Sequence, residues 1–520
     1  MNTQIYKIFT LLLVSTSILI SCSSAPQPSS TYEDGLWRRR PETQGVISEN
    51  ILNFVEAVED QQLELHSLMI LRHGRVIAEG WWYPYRCGIN HVMHSVSKTF
   101  TSSAVGIAVG EKLLTVDDKV ISFFPDDLPP VVSPYLQQLT VKHLLTMSVG
   151  HEEAPVFYVT DPNWVKSFLA TPIVHEPGTV YQYSSYATYM LSAILQKVTG
   201  QTVKDYLQPR LFEPLGIKNI DWETDTRGIN TGGWGMRIKT ADMAKLGQLY
   251  LQKGQWYGKQ LIPETWIDEA TTPHIYQNPN QQSTDDWNSG YGYQLWICTH
   301  DAFRADGANG QFIVVVPEQD LVVSMTGQIG NMQAQLKLVW EHLLPAMNPT
   351  EIAGNEMMND MLTSKLTSLK LPDPFRTPDK DTLDLPKAET RSYTMEKNEL
   401  NITALTFDIK ANGDCHMYMT KDNFTYSLSF MLDNWAYGTT DKPGPYFLNP
   451  RRNPKGMALF DVAGYNSWTK RDELKMRLLY LGESLYEDYI CTFAGNQMTV
   501  QISNRAEPGK TIIITGNSIN

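Results

Sequence analysis

The sequence is short of charged residues, and it lacks a cluster of Lys and Arg. Charged residues make up 19% of its 520 residues, against roughly 25% in average soluble domains. Proteins that bind nucleic acid neutralise phosphates with clustered cations, whereas here the net charge is −13. Hydrophobic residues at 42% and aromatic residues at 11% are too many for a disordered acidic chain. We therefore expect a folded protein with a large core and no nucleic-acid partner.

Cysteine is also scarce, with five residues and neither a CxxC pair nor a metal-type Cys/His spacing. These spacings therefore indicate no metal site, and the sequence as a whole implies no organic cofactor. Cys22 lies in the N-terminal segment and is treated apart from the other four. If the protein is exported, those four can be oxidised to disulfides. Pairing Cys87 with Cys298 and Cys415 with Cys491 is the simplest expectation, although spacing alone does not define the connectivity.

Long hydrophobic runs are absent after the N terminus, where one short run follows Lys7. Residues 8–20 are mostly apolar, but a helix that spans a bilayer needs about 20 such residues. The run ends in Leu-Ile-Ser-Cys at Cys22, which resembles a bacterial lipobox, where a small residue precedes the cysteine that is lipidated. We expect a signal peptide over residues 1–21 and a lipidated Cys22 with a flexible tether over 22–44. The alternatives are an ordinary signal peptide that happens to contain a cysteine and a buried apolar segment. The protein is then expected in the bacterial cell envelope, anchored to a membrane by its acyl chains.

The order of helix-like and strand-like patterns divides the rest of the chain into two domains. Residues 45–347 mix amphipathic helices with paired strands that occur at both ends of the segment, such as Ser67 to Arg72 and Leu321 to Thr326. This order predicts an α/β (α+β) domain with one antiparallel sheet built from both ends and a helical subdomain between them. A Pro- and Asp-rich linker is expected over residues 348–388. Short β-like runs then predict an all-β barrel or sandwich over residues 389–520, with the first domain able to fold without it.

The sharpest chemical signal is a serine and a lysine three residues apart, Ser95 and Lys98. On a helix, side chains at this spacing lie on one face about 5–6 Å apart, so the hydroxyl stands beside the amine. Serine becomes a nucleophile when a base takes its proton, and lysine acts as that base only when burial lowers its pKa from about 10.4. The alternative is a surface helix start with a solvated lysine. Apolar Val96 and Phe100 beside the pair favour a buried helix and hence a catalytic pair.

The motif and its surroundings resemble a known family. The stretch His94 to Phe100 is similar to the nucleophile motif of serine β-lactamases, penicillin-binding proteins and related esterases. The resemblance extends over about residues 45–345 and is greatest to the class C-like branch that holds 6-aminohexanoate-dimer hydrolase and serine esterases. It implies a β-lactamase-like fold and acyl transfer to Ser95. Further stretches that carry it occur in order along the chain: LLTVDDKVISFFP, TVKHLLTMSVG, YQYSSYATYMLSAILQKVTG, GGWGMRIKTADMAKLGQLYLQKGQW, GYGYQLW and DGANGQFIVVVPEQDLVV.

The family's second motif, Tyr-x-Asn, matches Tyr183-Ser184-Ser185. The resemblance implies that Tyr183 helps to move the nucleophile's proton and protonates the leaving group. Ser185 stands where the family has asparagine, a replacement that also occurs in the amide-hydrolase and esterase branch, and it is expected to line the substrate pocket. A core tyrosine beside Tyr181 and Tyr186 is the alternative for Tyr183.

The third motif, Lys-Thr-Gly or His-x-Gly, matches Ala305-Asp306-Gly307 on the strand that borders the site. The cation that binds a substrate carboxylate in the family is therefore missing, and Asp306 is expected to repel a carboxylate. The alternative is that Asp306 points away from the pocket, since neighbouring residues of a strand face opposite sides, and the attracting cation is missing in that case too. Gly307 lets a substrate approach the strand, so Asp306 and Gly307 are both expected to line the pocket. The resemblance also implies that the backbone N–H groups of Ser95 and Ala308 form the oxyanion hole.

Three further features leave a choice between packing and function. Trp234, in a Gly-Trp-Gly stretch, is expected to line the substrate pocket because of its place in the family. The aromatic run over residues 81–85 predicts either strand packing or a pocket rim. His91 and His94 stand just before the nucleophile, and since no third ligand with suitable spacing is evident, we favour histidines of the pocket wall over a metal site.

These features predict a serine hydrolase that forms an acyl-enzyme on Ser95 and cleaves an ester or amide without a required carboxylate. A β-lactamase or D-Ala-D-Ala carboxypeptidase is the enzymatic alternative. A non-catalytic envelope protein that binds a ligand through the same fold is the alternative from another class. The expected partners are a small-molecule substrate and a membrane, which the protein reaches through its lipid anchor.

Overall fold

The structure, a computed structural model, describes residues 33–157, 160–278, 285–375, 387–444 and 459–519. The predicted signal peptide and Cys22 lie outside the described residues. Within these ranges, no helix is both long enough and apolar enough to cross a membrane. The lipid anchor and the envelope location therefore stay predictions.

A seven-stranded sheet forms the centre of the first domain. The strands of this domain, in chain order, are β1 (Trp37–Arg38), β2 (Leu65–Arg72), β3 (Arg75–Trp81), β4 (His91–Val92), β5 (Asp221–Trp222), β6 (Met236–Ile238), β7 (Gln255–Trp256), β8 (Lys259–Gln260), β9 (Trp296–Ile297), β10 (Phe303–Gly307), β11 (Gln311–Val316) and β12 (Leu321–Gly327). The sheet has the order β1-β3-β2-β12-β11-β10-β9, and its neighbours are antiparallel except for β1 and β3. Early strand β2 thus pairs with late strand β12, which confirms the sheet predicted from both ends of the segment.

Helices cover both faces of this sheet. They are α1 (Ser48–Asp60), α2 (Ser97–Gly110), α3 (Val120–Phe123), α4 (Pro134–Gln138), α5 (Val141–Leu145), α6 (Trp164–Ala170), α7 (Ser185–Thr199), α8 (Val203–Leu207), α9 (Glu213–Leu215), α10 (Thr240–Leu251), α11 (Glu264–Ala270), α12 (Met332–Leu338) and α13 (Glu356–Thr367). The helices from α2 to α11 pack on one face of the sheet, and α1, α12 and α13 pack on the other. Because both faces are covered, β11 and β12 are buried along their whole length, which explains their nearly unbroken apolar sequences.

The C-terminal domain is a closed β-barrel. Its strands are β13 (Glu389–Met395), β14 (Ile402–Ile409), β15 (Cys415–Lys421), β16 (Phe424–Leu432), β17 (Trp435–Thr440), β18 (Phe460–Lys470), β19 (Glu473–Tyr480), β20 (Leu485–Ala494), β21 (Gln497–Asn504) and β22 (Thr511–Ser518). Nine of them close the barrel, since β16 pairs with β18 as well as with β15, and β17 is an additional strand on β18. Apolar residues alternate with polar ones along β15 and β16, which gives the barrel its own apolar core. The predicted fold class is therefore confirmed, with a barrel rather than a sandwich.

The stretch predicted as a linker contains α13, which packs against α1 and β3. Gly80 in β3 has no room for a side chain, since a Cβ there would lie 2.7 Å from Leu369 Cδ1, just after α13.

The barrel residues Trp435, Tyr465 and Leu481 belong to the same hydrophobic cluster as residues of α1, β3 and α13. The barrel therefore completes part of the first domain's core, which argues against the expectation that the first domain folds without it.

The expected disulfides Cys87–Cys298 and Cys415–Cys491 are wrong, because Cys298, Cys415 and Cys491 are free, buried thiols. The Cys298 Sγ accepts a hydrogen bond at 3.1 Å from Nη1 of Arg304. Cys415 and Cys491 lie in the apolar core of the barrel, where burial raises the pKa of the Cys415 thiol to about 12. Oxidation proceeds through the thiolate, so thiols that are held protonated in a closed core are unreactive.

Candidate active site

Ser95 lies in a short 3-10 turn, His94–Val96, between β4 and α2. Val96 and Phe100 are fully buried at the start of α2, while Ser95 itself is partly exposed. Lys98 stands one turn further along, and only 1% of its surface is exposed. A surface helix with a solvated lysine is therefore excluded, and the serine hydroxyl faces a buried amine.

The amino group of Lys98 contacts three oxygen atoms. Its Nζ lies 2.9 Å from Ser95 Oγ, 3.0 Å from Ser185 Oγ and 2.7 Å from the Gly233 carbonyl oxygen. An ammonium group can donate to all three oxygens. A neutral amine has two N–H bonds, which suit Gly233 and Ser185, and one lone pair, which then faces the Ser95 hydroxyl. The site accommodates both protonation states, as it must for a base that takes and returns a proton.

Burial controls the charge of Lys98. Removal from water disfavours the ammonium form and lowers the pKa of Lys98 to about 7, while the negative charge of Asp306 acts in the opposite direction. Near pH 7 a large fraction of the amine is therefore neutral, whereas an exposed lysine would be almost fully protonated. A pKa near the working pH is the value that suits a general base.

Tyr183 lies next to the same amine, with its ring centre 4.8 Å from Lys98 Nζ. Burial and the charge of Asp306 raise the pKa of the Tyr183 phenol, and a hydrogen bond with Ser95 opposes the rise. The phenol is therefore protonated at neutral pH, so that it can donate a proton but does not serve as the base. The structure brings Tyr183 to the Ser95–Lys98 pair, rather than leaving it as a tyrosine of the core.

Strand β10 passes close to the turn His94–Val96, which carries the predicted nucleophile and is called the nucleophile turn below, so that only glycine fits at position 307. A Cβ on Gly307 would lie 2.3 Å from the Met93 carbonyl oxygen and 3.2 Å from the His94 Cβ. Ala308 follows directly after the strand and is exposed. The backbone segments that carry the N–H groups of Ser95 and Ala308 therefore lie side by side, as an oxyanion hole made from these two groups requires.

Asp306 is buried and paired with a cation that the motif did not reveal. The Arg304 Nε donates to Asp306 Oδ2 at 3.1 Å, and the guanidinium lies 4.4 Å from the ring centre of Trp287 and 5.1 Å from that of Trp296. Residues two apart on a strand face the same side, so the pattern Arg-x-Asp was the available signal. The expected repulsion between Asp306 and a substrate carboxylate is weakened, because Arg304 offsets its charge. Ala305 still supplies no cation that would attract a carboxylate.

The stretch around Trp234 contributes a backbone carbonyl to the site rather than its indole ring. The Trp234 side chain is buried, and its ring centre lies 6.0 Å from that of Trp164 and 5.4 Å from that of Tyr186. Gly233 presents its carbonyl oxygen to the buried amine, and a Cβ on it would lie 2.7 Å from the Ser185 carbonyl oxygen. The close approach explains why a glycine stands at this position, although its backbone carbonyl leaves no side-chain signal in the sequence.

Aromatic rings form a wall beside Tyr183. Its ring centre is 5.8 Å from that of Trp296, which in turn lies 5.4 Å from Trp287 and 5.3 Å from Tyr291. Trp287 and Trp296 are partly exposed. A substrate that reaches Ser95 can therefore place an apolar group against these rings.

The other candidates serve packing. In the aromatic run over residues 81–85, Tyr85 stacks on His66 with 3.7 Å between ring centres, and Tyr83 packs edge-on against Tyr437 of the barrel. His91 is buried, and its Nε2 lies 2.9 Å from Nδ1 of His66. In the part of the chain that the structure describes, no group of three or more His, Cys, Asp or Glu side chains is arranged to hold a metal ion.

Comparison with known proteins assigns the first domain to a family. The family model described as Beta-lactamase matches residues 52–337, which is more than half of the chain. The chain belongs to the beta-lactamase family. The match includes the nucleophile turn, the Tyr183 motif and strand β10, so every residue of the candidate site in the first domain falls within it.

The relatives of this beta-lactamase family member include hydrolases. The 6-aminohexanoate-dimer hydrolase of Paenarthrobacter ureafaciens is 22% identical over 288 residues, which cover 51% of this chain and 73% of that protein. The lovastatin esterase of Penicillium rubens is 26% identical over 162 residues, which cover 26% of this chain and 39% of the esterase. The solved structure of an octameric penicillin-binding protein homologue from Pyrococcus abyssi covers 90% of this chain and 99% of its own, at 16% identity and a TM-score of 0.46. This protein is thus a member of a family of hydrolases.

Proposed function

We propose that this protein is a serine hydrolase that cleaves an ester or amide through an acyl-enzyme on Ser95. The observation that carries the proposal is the buried amine of Lys98, 2.9 Å from the Ser95 hydroxyl oxygen. Burying an amine costs free energy, and that cost is what lowers its pKa towards neutrality. A protein that only binds a ligand has no use for such an amine beside a serine, whereas a general base needs it.

Acylation begins when the Ser95 hydroxyl proton passes to neutral Lys98 and Oγ attacks the carbonyl carbon of the substrate. The carbonyl oxygen becomes an oxyanion, which accepts hydrogen bonds from the N–H groups of Ser95 and Ala308. The leaving group then takes a proton from the Tyr183 phenol, and the phenol regains a proton from the Lys98 ammonium. The substrate C–O or C–N bond breaks, and the acyl group remains on Oγ.

Deacylation reverses these roles with water as the nucleophile. Lys98, which is neutral again, takes a proton from the water as its oxygen attacks the acyl carbon. The second tetrahedral intermediate collapses, the Ser95 oxygen leaves, and the proton returns to it from the lysine. The Ser185 hydroxyl and the Gly233 carbonyl hold the amine in place through both steps.

An uncharged substrate suits this site better than a carboxylate. Ala305 stands where a cation would attract an anion, and the Arg304 guanidinium is fully buried and engaged with Asp306. The wall that includes Trp287 and Trp296 offers apolar contact instead. The named relatives act on a 6-aminohexanoate dimer and on lovastatin, which supports an ester or amide as the bond that is cleaved.

The substrate proposal predicts that p-nitrophenyl butyrate is hydrolysed with a kcat/KM at least about 10-fold above that for nitrocefin. A charge-assisted hydrogen bond is worth about 1.5–3 kcal/mol, and the site supplies none for the carboxylate of the β-lactam. Both constants are measured on one preparation, with Ser95→Ala as the blank. Nitrocefin turnover equal to that of the ester would instead favour a β-lactamase. A wild-type protein that neither turns over these substrates nor reacts with a fluorophosphonate would favour the binding protein.

We also propose that the protein is attached to a membrane of the cell envelope through lipidated Cys22. The support is the Leu-Ile-Ser-Cys sequence behind a short apolar run. Growth with labelled palmitate is expected to label the wild-type protein and not Cys22→Ala, which should leave the membrane fraction. Equal labelling of the two proteins would contradict the anchor.

A further inference from the structure

A turn of the barrel contacts the strand that leads into the nucleophile turn. The turn comprises residues 481–484, between β19 and β20. The Gly482 carbonyl oxygen accepts a hydrogen bond from Val92 N at 2.8 Å, and Ser484 Oγ lies 2.6 Å from His91 Nε2. Nδ1 of His91 donates to the Val92 carbonyl oxygen at 2.9 Å, so Nε2 of the neutral imidazole carries no hydrogen. Nε2 therefore accepts a hydrogen bond from the Ser484 hydroxyl. The barrel is therefore hydrogen-bonded along β4, three residues before Ser95.

The same turn reaches the loop that binds the catalytic amine. Both carboxylate oxygens of Glu483 accept hydrogen bonds from the Arg237 guanidinium, at 2.6 and 2.7 Å, and both side chains are buried. Arg237 also donates to the Gly235 carbonyl oxygen at 3.1 Å and to Glu223 Oε1 at 3.2 Å. Gly235 lies two residues after Gly233, whose carbonyl oxygen binds Lys98. The guanidinium thus connects the barrel to this loop.

The two strands that receive the turn are joined to each other. β4 pairs with β6, and Met93 N donates to the Met236 carbonyl oxygen at 2.9 Å. The chain continues from β4 into Ser95, and β6 begins three residues after Gly233. The barrel turn therefore contacts both strands of the pair β4–β6. This strand pair sets the distance between Ser95 and the Gly233 carbonyl oxygen, which binds Lys98.

Building on the proposed acyl-enzyme chemistry, we propose that Glu483 of the barrel is a positioning residue of the active site, which acts through Arg237 on the loop of Gly233. Loss of its charge leaves the buried guanidinium with one carboxylate instead of two, so the loop must shift to re-pair it. A displacement of about 1 Å at a catalytic group can cost about 10²-fold in rate. The barrel then contributes a residue that positions the active site of the first domain.

Glu483→Gln in the full-length protein tests this role, because it keeps the size of the side chain and removes its charge. We expect kcat for p-nitrophenyl butyrate to fall about 10- to 100-fold. KM should change less than about threefold, since Glu483 acts on the amine and not on the bound substrate. Glu483→Asp restores a carboxylate and is expected to recover part of the lost kcat.

Glu487→Gln is the matched control. Glu487 is a barrel carboxylate that accepts from Lys442 Nζ at 2.6 Å and from the Tyr489 hydroxyl at 2.6 Å. Its replacement perturbs the barrel by a similar loss of charge at a place outside the turn. We expect its kcat to stay within about twofold of the wild-type value, although its unfolding temperature falls.

Unchanged kcat in Glu483→Gln, or equal losses in the two variants, would overturn the positioning role. A failure of the proposed function has a different signature, namely ester turnover that survives Ser95→Ala in the otherwise wild-type chain. Should Glu483→Gln not fold, Arg237→Lys takes its place, because a lysine keeps the positive charge but has no planar fork to pair with both carboxylate oxygens of Glu483 and bind the Gly235 carbonyl oxygen. We expect a loss of about threefold to tenfold in kcat there, and an unchanged kcat would overturn the proposal equally, since Glu483 acts through Arg237.

Discussion

Ser95→Ala is expected to abolish both ester turnover and covalent labelling by a fluorophosphonate. Without Oγ no acyl-enzyme can form, and loss of the nucleophile from a serine hydrolase costs on the order of 10⁴-fold or more in kcat. The hydroxyl is small and Ser95 is partly exposed, so we expect the fold to be kept. The intact mass of the protein after incubation with the probe measures the labelling directly.

Ser103→Ala is the control for this experiment. Ser103 lies on the same helix, and its hydroxyl donates to the Thr99 carbonyl oxygen at 2.8 Å. We expect it to be labelled at the rate of the wild-type protein. Labelling of Ser95→Ala at that same rate would show that another residue is the nucleophile.

Lys98→Ala is expected to lower kcat by about 10²–10⁴-fold, which is the usual contribution of a general base. The wild-type protein should show the titration of this base. With the pKa of Lys98 lowered to about 7 by burial, kcat/KM for a neutral ester is expected to rise between pH 5 and pH 8 and then level off. A variant whose kcat stays within a few-fold of wild type, or a flat pH profile, would rule out Lys98 as the base.

Asp306→Asn identifies the group that titrates in this profile. The charge of Asp306 raises the pKa of Lys98, and without it the buried Arg304 is also no longer offset. Both changes disfavour the ammonium form, so the rise in activity should move to lower pH. A rise that stays where it is in the wild-type protein would belong to another group.

The buried amine also predicts how stability depends on pH. The lysine of the unfolded chain keeps its ordinary pKa of 10.5, while the folded value is about 7. Between these values the unfolded chain binds more protons, so the free energy of unfolding rises with pH. Below pH 7 the folded protein bears the full cost of a buried ammonium. Lys98→Met is therefore expected to unfold at a higher temperature than wild type at pH 6, with a difference that shrinks towards pH 10.

The parts of the fold that could be predicted are those with a strong local pattern. The central strands β11 and β12 have nearly unbroken apolar sequences because both of their faces are covered, and their positions near the end of the domain indicated a sheet built from both ends. The short alternating strands indicated a barrel or sandwich. Closure into a barrel depends on the pairing of β16 with β18, which no local pattern encodes.

The same distinction between local patterns and distant contacts applies to the residues of the candidate site. Ser95 and Lys98 share a helix, so their spacing alone places hydroxyl beside amine. Tyr183 and Gly307 belong to motifs whose order along the chain resembled a family. Gly233 was missed, because a backbone carbonyl leaves no side-chain signal and the conspicuous residue beside it is a tryptophan.

The sequence alone was enough to predict the α+β class, the change to a β domain, and Ser95 and Lys98 as the proposed nucleophile and base. The pair follows from a spacing of three residues, and the fold class follows from the order of local helix and strand patterns along the chain.

The pairing of Arg304 with Asp306, the free thiols and the ion pair of Glu483 with Arg237 came only from the folded chain. The ion pair of Arg237 and Glu483 joins distant segments, so it depends on how the two domains pack. Arg304 and Asp306 are only two residues apart, but the fold alone shows that both are buried and paired with each other. That packing gives Lys98 its dry surroundings and lowered pKa, so the motif supplies the reacting groups and the tertiary structure supplies the environment in which they react.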